Sequence, residues 1–391
     1  MNYTFSGKVK TITLIMMGVG ILATIYGFIF TPERIWSNLL LGTFFFLAVG
    51  VGALFFLGVH SIGEAAWHTV IKRVPEAISQ YIPVGSVFML ILVLLGIFGV
   101  HDTWHWMDSH FKETDVLYQN SGKKAWLNTP FYIVRTLLYL GGWSFFAWKF
   151  RQLSLAQDAG GGLQTFKSNF KLSAVFLVFF AVTSSTSAWD WLMSIDVHWY
   201  STLYGWYIFA GMFVSALITM LLFTVFLKKN GYLPSVNENH IHDIAKYVFA
   251  FSVFWTYLWF SQYMLYWYSN IPEEINYFMN RFHTNYQPMM IGMLIVNFAF
   301  PVVLLMHRYA KRNYNLLLFA GFILILGHYI DLFQIIMPGT VNDKWCIGIT
   351  EIGIFLGFAG LFTFVVLSNL TKAPLEPKNH PFVSESKQHH I

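Results

Sequence analysis

Histidine and aspartate side chains recur at short spacing in the segment GVHDTWHWMD, residues 99–108. His101, His105 and Asp108 follow i, i+4, i+7 spacing, so they share one face if a helix continues through them. Asp102 lies beside them in the chain. Imidazole and carboxylate groups accept protons near neutral pH when their surroundings adjust their affinity. The pattern therefore predicts a proton-handling face at the end of this segment.

Three further polar stripes lie near the ends of apolar segments. Their members are Ser184, Ser187 and Asp190, followed by Asp196; Gln262, Tyr266 and Asn270; and His328, Asp331 and Gln334. Ionisable groups at membrane depth are costly, and they normally face a bundle interior or a cavity. We therefore expect the stripes to surround one polar chamber or two. The alternative is that they are helix caps and interfacial anchors within an aromatic belt.

A separate titratable series consists of His60, Glu64 and His68 at i, i+4, i+8 spacing. A ladder of protonatable groups on one helical face suits proton transfer, because histidine titrates near neutral pH. The alternative is an ordinary solvated face of a helix that leaves the membrane.

The residue types argue against a metal or haem bound by this chain. Cys346 is the only cysteine, which excludes an internal disulfide, a Cys-ligated iron–sulfur cluster and a CxxCH haem attachment. His101 and His105 have the i, i+4 spacing of zinc-binding helices, but no clear third ligand accompanies them. We expect no metal site and no directly bound cofactor.

Composition places these groups in a membrane protein. Of the 391 residues, 56% are hydrophobic and 11% are charged, whereas soluble domains carry about 25% charged residues. The Lys and Arg residues behind the net charge of +5 lie mainly in short loops between apolar runs, which favours a role in membrane topology over nucleic-acid binding. The first apolar run lacks a small-residue cleavage site, so we interpret it as a span rather than a signal peptide.

Ten apolar runs are long enough to cross a bilayer, which needs roughly 20 residues of helix. Backbone groups in lipid must satisfy their own hydrogen bonds, so these runs are predicted to be helices. The predicted spans are 11–30, 39–60, 82–101, 130–150, 170–190, 203–227, 246–268, 288–307, 314–333 and 347–369. The sequence thus predicts an all-α integral membrane domain over residues 1–371.

The distribution of Lys and Arg predicts the orientation. The N-terminus, the tail and the loops after the even-numbered spans hold 17 of the 24 Lys and Arg residues, and the alternate loops hold 6. The positive-inside rule then places both termini in the cytoplasm and the polar stripes at the outer face. We expect residues 63–79 to lie at the inner interface or to extend the second span, and residues 372–391 to form a cytoplasmic strap or a disordered end.

Three long motifs resemble those of a known family. The segments SAWDWLMSIDVHWYSTLYG (187–205), FSQYMLYWYSNIPEEINYF (260–278) and GVHDTWHWMD (99–108) are similar to the large membrane subunits of bacterial alternative complex III, within the NrfD/polysulfide-reductase membrane-subunit family. The opening YTFSGKVKTI and the modest length resemble the shorter, ActF-like paralogue more than the longer one.

This resemblance implies two four-helix bundles, spans 2–5 and 6–9, with peripheral helices 1 and 10. It implies a bacterial inner-membrane complex that oxidises quinol and passes electrons through iron–sulfur and haem c subunits to an acceptor or a terminal oxidase. The expected partners are a paralogous membrane subunit, these redox subunits and lipids. The shorter paralogue is not the subunit usually credited with quinol oxidation, so proton conduction and a scaffold role stay open, with secondary transport a further alternative.

The candidate residues follow from the stripes and the resemblance together. The candidates for quinol or proton binding are His101, Asp102, His105, Asp190, Asp196, His328 and Asp331, and those for an inner proton path are His60, Glu64 and His68.

Overall fold

The computed structural model describes residues 2–282 and 284–390. Over these residues the chain is helical, and its only extended pairing is an isolated bridge between Asn2 and Pro374. The α-helices are α1 Gly7–Phe30, α2 Pro32–Ile62, α3 Arg73–Ser79, α4 Ile82–Ile97, α5 Ser109–Thr114, α6 Val116–Asn120, α7 Lys123–Trp126, α8 Thr129–Asp158, α9 Gly162–Trp191, α10 Tyr204–Lys229, α11 Glu238–Ser269, α12 Pro272–Phe282, α13 Gln287–Leu294, α14 Phe300–Leu305, α15 Tyr314–Thr340, α16 Ile349–Leu370 and α17 Val383–Lys387.

Eight helical stretches within the described ranges are long and apolar enough to cross a membrane. They are Gly7–Phe30, Pro32–Ile62, Arg73–Ile97, Gly162–Ile195, Tyr204–Lys229, Gln287–Leu305, Tyr314–Thr340 and Ile349–Leu370. The chain therefore has the architecture of an all-α, multi-pass membrane protein. The helices α8 and α11 are as long, at 30 and 32 residues, but they are richer in Tyr and Trp, and α8 carries charged residues.

Several long helices begin at an asparagine that caps the free backbone N–H groups of the first turn. The side chain of Asn128 accepts from the N–H of Phe131 at the start of α8, and Asn237 and Asn313 cap α11 and α15 in the same way. Such caps stabilise a helix start by about 1 kcal/mol. They fix where the helices that carry the candidate residues begin.

The helix α2 lies at the centre of the molecule, with 89% of its most apolar window buried within the protein. It packs against α4, α9, α10, α15 and α16, while α8 closes the group by contacting α4 and α9. The helix α10 contacts α2 and also packs against α11 and α15. In this second group, α13 contacts α15, and α14 contacts α11. The pair α2 and α10 thus joins two groups of helices.

The peripheral helices α1 and α16 pack closely because small residues line their contact. A Cβ atom added to Gly20 would lie 2.3 Å from the Cα of Gly357, and one added to Gly353 would lie 2.2 Å from the Cβ of Ala23. Small residues allow helix backbones in a membrane to approach and gain van der Waals contact. The opposite face of α1 exposes Ile15, Leu22 and other apolar side chains, as a lipid-facing or partner-facing helix does.

The segment 63–79 is not the interfacial or extended helix that we predicted. The helix α2 ends at Ile62, a 3₁₀ turn covers Trp67–Ile71, and α3 follows with all of its residues buried. Because α3 packs against α2, α10 and α16, its Arg73 and Glu76 are part of the protein interior, whereas Glu64 is exposed.

The C-terminal tail crosses the predicted inner end of the molecule as a strap. Its Ser386 hydroxyl donates to the carbonyl of Trp67 (2.8 Å), and Asn379 accepts from Gln157 at the end of α8 (2.8 Å). The carbonyl of His389 accepts from Asn237 at the start of α11 (2.8 Å). The strap therefore links both groups of helices, and Ile391 lies outside the described residues.

Candidate functional site

Asp331 lies inside the molecule on α15, where it is 5% exposed. The hydroxyl of Tyr207, on α10, donates to its Oδ1, and the indole N–H of Trp255, on α11, donates to its Oδ2 at 3.0 Å. No salt bridge involves Asp331 within the residues that the structure describes. It is thus a buried carboxyl group held by two neutral donors.

A small cavity, with about 30 Å³ of space accessible to water, lies beside Asp331, between α2, α10 and α15. His328 lines it one turn below Asp331 and is 3% exposed. Neither ring nitrogen of His328 has a hydrogen-bond partner among the described residues, and its ring meets that of Trp255 edge-on at 5.4 Å. A buried imidazole without partners is costly, so a ligand or water in this cavity would have polar atoms to bind.

A second small cavity, with about 20 Å³ of space accessible to water, lies between α10, α11, α12, α13 and α15. It shares Tyr207 and Asp331 with the first cavity, so this carboxyl group stands between the two. The remaining polar residues on its wall include Gln262, Gln334 and Arg281, each 3% exposed. Aromatic and methionine side chains complete the wall, and the space they leave holds about one water.

Arg281 is a buried cation next to the second cavity, and its donors are already engaged. Its Nε donates to the carbonyl of Gln334 (2.9 Å), Nη1 to that of Tyr277 (2.6 Å), and Nη2 to that of Ile335 (3.1 Å). Its nearest carboxylate is Asp196, at 3.5 Å. Arg281 therefore stabilises the wall of the cavity, and its charge is directed towards Asp196.

Asp190 has a different environment at the end of α9, although the sequence pattern makes it the counterpart of Asp331. Its carboxylate accepts from Arg135 through Nε (2.7 Å) and Nη2 (2.8 Å), from Tyr139 (2.9 Å) and from the indole of Trp126 (2.8 Å). It is 0% exposed and lines none of the cavities described here. Four donors saturate this carboxylate, so its geometry is that of a structural ion pair.

The predicted face of His101, His105 and Asp108 does not form, because α4 ends at Ile97 and the chain turns at Gly99. His101 is buried, and its ring stacks on Trp36 with centroids 4.8 Å apart. Asp102, His105 and Asp108 are exposed, and Asp108 caps α5. The structure thus separates buried His101 from His105 and Asp108, the two residues with which the spacing groups it.

An open cleft of about 680 Å³ lies at the predicted outer end of the molecule. It brings Asp102 and His105, which follow α4, together with Asp196, which follows α9. Tyr277 lines both this cleft and the cavity beside Asp331. Burial raises the pKa of Tyr277 to about 12, so its hydroxyl stays protonated at neutral pH. Only this side chain is shared between the surface cleft and the second cavity.

The predicted inner ladder is also broken, since Glu64 lies beyond the end of α2 in a left-handed conformation (φ 45°) and is exposed. His60 and His68 nevertheless meet, with ring centroids 4.9 Å apart. Each donates through Nδ1 to a backbone carbonyl, and each Nε2 lacks a partner in the described chain. Burial lowers the pKa of His68 well below its ordinary value, with further contributions from His60 and Lys72, so the ring is neutral.

The residues that surround these candidates could not be predicted from the sequence pattern. Tyr207 and Trp255 lie within long apolar runs and carry no local signal, although they hold Asp331. A buried charge network at the predicted inner end was missed as well: Glu76 accepts from Arg73 (2.7 Å) and Arg151 (2.8 Å). Paired charges near the ends of predicted spans 3 and 4 were the available signal.

Across residues 2–282 and 284–390, no group of three or more His, Cys, Asp or Glu side chains is placed to hold a metal ion. Neither a scan of protein-family models nor a search of curated proteins finds a match to this sequence.

Proposed function

We propose that this chain is a membrane subunit of a quinol-oxidising respiratory complex of the alternative complex III type, and that Asp331 is its proton-accepting group. The observation that carries the proposal is a buried carboxyl group, held by Tyr207 and Trp255 without a cation, that opens onto two cavities. A carboxylate without a cationic partner in a low-dielectric site binds a proton readily. That property is required of a base for quinol oxidation.

The reaction converts a hydroquinone into a quinone with release of two electrons and two protons. Asp331 accepts a proton from one hydroxyl group, and His328 lies in the adjoining cavity as the next acceptor. The electrons leave to an iron–sulfur cluster of a partner subunit, as the family resemblance implies. Protons reach the outer cleft past Tyr277, which lines both compartments.

The second group of helices supports this chemistry better than the first. Asp190 is paired with Arg135, held by four donors and away from both cavities beside Asp331, so a ligand there does not reach it. A buried pair of this kind stabilises the transmembrane arrangement instead. We therefore assign quinol and proton binding to the Asp331 side and a structural role to Asp190.

We further propose ten transmembrane helices, with α8 and α11 crossing the membrane beside the eight more apolar stretches. In this arrangement α2, α4, α8 and α9 form one four-helix bundle, and α10, α11, α13–α14 and α15 form the other, with α1 and α16 at the periphery. The contacts between neighbouring helices support this division. The excess of Lys and Arg at the end that holds both termini supports a cytoplasmic location for that end in a bacterial inner membrane.

The alternative is a scaffold subunit that binds no quinol. The exposed apolar face of α1 favours it, because only 22% of the most apolar window of this helix is buried within the chain. Such a face is suited to packing against helices of a partner subunit as well as against lipid.

The test of the proposed assembly is purification of the tagged chain from membranes of its own host in mild detergent. We expect it to co-purify with an iron–sulfur protein and a haem c protein, and the preparation to catalyse electron transfer from quinol to cytochrome c. A chain that purifies intact from these membranes without any redox-active partner would contradict the proposal.

A further inference from the structure

A cleft of about 270 Å³ lies where α9 ends at the predicted outer face, between the segment around α7 and the loop that follows α9. It is far larger than the two spaces beside Asp331, each of which holds about one water. Among the described residues that line it, Lys123 carries the only charged side chain. We call this space the tryptophan cleft, because its wall is mostly aromatic and consists largely of Trp126, Trp189, Trp199 and Tyr200.

Lys123 brings to the tryptophan cleft a positive charge that no carboxylate neutralises. Its ammonium group donates to the backbone carbonyls of Val197 (2.5 Å) and Trp199 (3.4 Å), and it forms no salt bridge within the described chain. An ammonium group has three N–H donors, so one is left for a ligand. Burial lowers the pKa of Lys123, and an anion in the cleft would oppose this effect. The charge therefore favours a ligand with an anionic oxygen.

The other polar groups of the wall are compatible with such a ligand. The indole N–H groups of Trp189 and Trp199 have no hydrogen-bond partner among the described residues, and buried donors are normally paired. The backbone carbonyl of Tyr200 already accepts from the hydroxyl of Tyr266 (2.5 Å), and the hydroxyl of Ser194 donates to the backbone carbonyl of Asp190. No aspartate or glutamate among the described residues lines the cleft to repel an anion.

The tryptophan cleft lies at the end of an apolar stripe on α9. Val175, Val178 and Val182 are each more than 60% exposed, and their i, i+3, i+7 spacing places them on one face of the helix. Trp189 follows Val182 by seven residues, so it continues this face into the cleft. Apolar side chains exposed along a membrane-spanning helix contact lipid tails. A hydrocarbon chain that follows the stripe therefore has its polar end at the cleft.

We propose that the tryptophan cleft binds an anionic phospholipid, with its phosphate group beside Lys123 and an acyl chain along the valine stripe of α9. Lysine binds phosphate as a point charge, and Trp and Tyr rings are enriched at the level of lipid head groups. The volume of the cleft, its unneutralised charge and its continuity with the stripe all fit this ligand. The inference is independent of the proposed quinol function.

A lipid in this cleft also lies against the buried ion pair of α8 and α9. Trp126 lines the cleft, donates through its indole N–H to Asp190 (2.8 Å), and has its ring 4.1 Å from the guanidinium carbon of Arg135. A ligand that holds Trp126 in place therefore supports the ion pair. Because a ligand that binds only the folded state raises its stability, thermal unfolding reports occupancy of the cleft as well.

The test is native mass spectrometry of the purified full-length chain, delipidated in detergent and titrated with phosphatidylglycerol or phosphatidylcholine of the same acyl chains. The wild-type chain is expected to bind the first phosphatidylglycerol at least about fivefold more tightly than phosphatidylcholine. In Lys123→Met this preference should disappear, because the charge is lost while the length of the side chain is kept. Phosphatidylglycerol should also raise the midpoint of thermal unfolding more in the wild-type chain than in this variant.

Lys124→Met is the matched control. Lys124 is the neighbouring lysine, but it is exposed, donates to Oε1 of Gln119 (2.8 Å) and does not line the cleft. This variant should keep the wild-type preference for phosphatidylglycerol. The comparison of the two lipids on the wild-type chain decides the question even where Lys123→Met fails to fold.

Three outcomes would overturn the proposal. Equal affinity of the wild-type chain for both lipids would mean that the chain has an unselective lipid layer only. An unchanged preference in folded Lys123→Met would place the anionic site elsewhere. Displacement of bound phosphatidylglycerol by millimolar inorganic phosphate would make the cleft a site for the free anion, in which the acyl chain and the valine stripe have no part.

Discussion

Arg135 binds both carboxylate oxygens of Asp190, with Nε 2.7 Å from Oδ2 and Nη2 2.8 Å from Oδ1. The guanidinium also lies over the ring of Trp126, 4.1 Å from its centroid. Bidentate pairs of this kind combine charge with fixed geometry. Asp331, at the corresponding place in the other half of the chain, has two neutral donors instead. A similar pattern of aspartate and aromatic residues thus forms an ion pair in one half of the chain and a site without a cation in the other.

Asp190→Asn is expected to destabilise the protein. The substitution leaves the buried Arg135 without its counter-charge, and breaking a buried pair in this way costs about 3–5 kcal/mol. The midpoint of thermal unfolding of the detergent-solubilised chain should fall by several degrees. In the double variant Asp190→Asn/Arg135→Met much of the loss should be recovered, because no buried charge is left unpaired. An unchanged midpoint in the single variant would contradict the structural role.

Gly327→Ala is expected to destabilise the contact between α15 and the π-helical turn Ile295–Ala299. A Cβ atom at Gly327 would lie 2.1 Å from Oδ1 of Asn297, and such overpacking costs about 1–3 kcal/mol. Gly292→Ala in α13 is the control, because a Cβ atom there meets nothing within 4 Å. Thermal unfolding should show a lower midpoint for Gly327→Ala and an unchanged or higher one for the control. Equal midpoints would mean that the two helices can separate freely at this point.

Docking of the C-terminal strap should weaken at acidic pH. Burial, with a smaller contribution from the nearby Lys72, lowers the pKa of His380 to about 3 in the folded protein. The ordinary histidine pKa is about 6.5, so the detached strap binds more protons between these values. The contribution of His380 to the stability of the docked strap is complete above about pH 6.5. It is lost progressively as the pH falls below this value.

Hydrogen exchange of residues 372–390 provides the measurement for this effect. Protection of the strap should be greater at pH 8 than at pH 5 after correction for the intrinsic exchange rate. The variant His380→Asn should reduce the difference between the two pH values. Equal corrected protection at both pH values in the wild-type chain would show that His380 does not control docking.

The membrane architecture was predictable because long apolar runs dictate helices in lipid. Asp190 and Asp331 were predictable as buried polar positions for the same reason, since each follows an apolar run. Their partners were not, because Tyr207 and Trp255 are 124 and 76 residues from Asp331 and reach it only through helix packing. The sequence pattern therefore could not distinguish the ion-paired aspartate from the one without a cation.

Two predicted helical faces do not form, because in each case the helix ends earlier than the spacing of the polar residues suggested. Gly99 adopts φ 71°, which glycine tolerates, and the chain leaves the helical path before His101. Glu64 has φ 45° just beyond α2, which breaks the ladder from His60 to His68 while a tight turn brings the two rings together. Local turn geometry, rather than residue type, decided both outcomes.

The most direct test of the central claim is quinol oxidation by the assembled complex that carries Asp331→Asn. Asparagine preserves the size of the side chain but cannot accept a proton, so turnover should fall by about 100-fold or more while the subunit composition stays unchanged. Asp343→Asn, an exposed carboxylate at the same end of the molecule, is the control and should keep wild-type turnover. Wild-type turnover in a fully assembled Asp331→Asn complex would contradict the account.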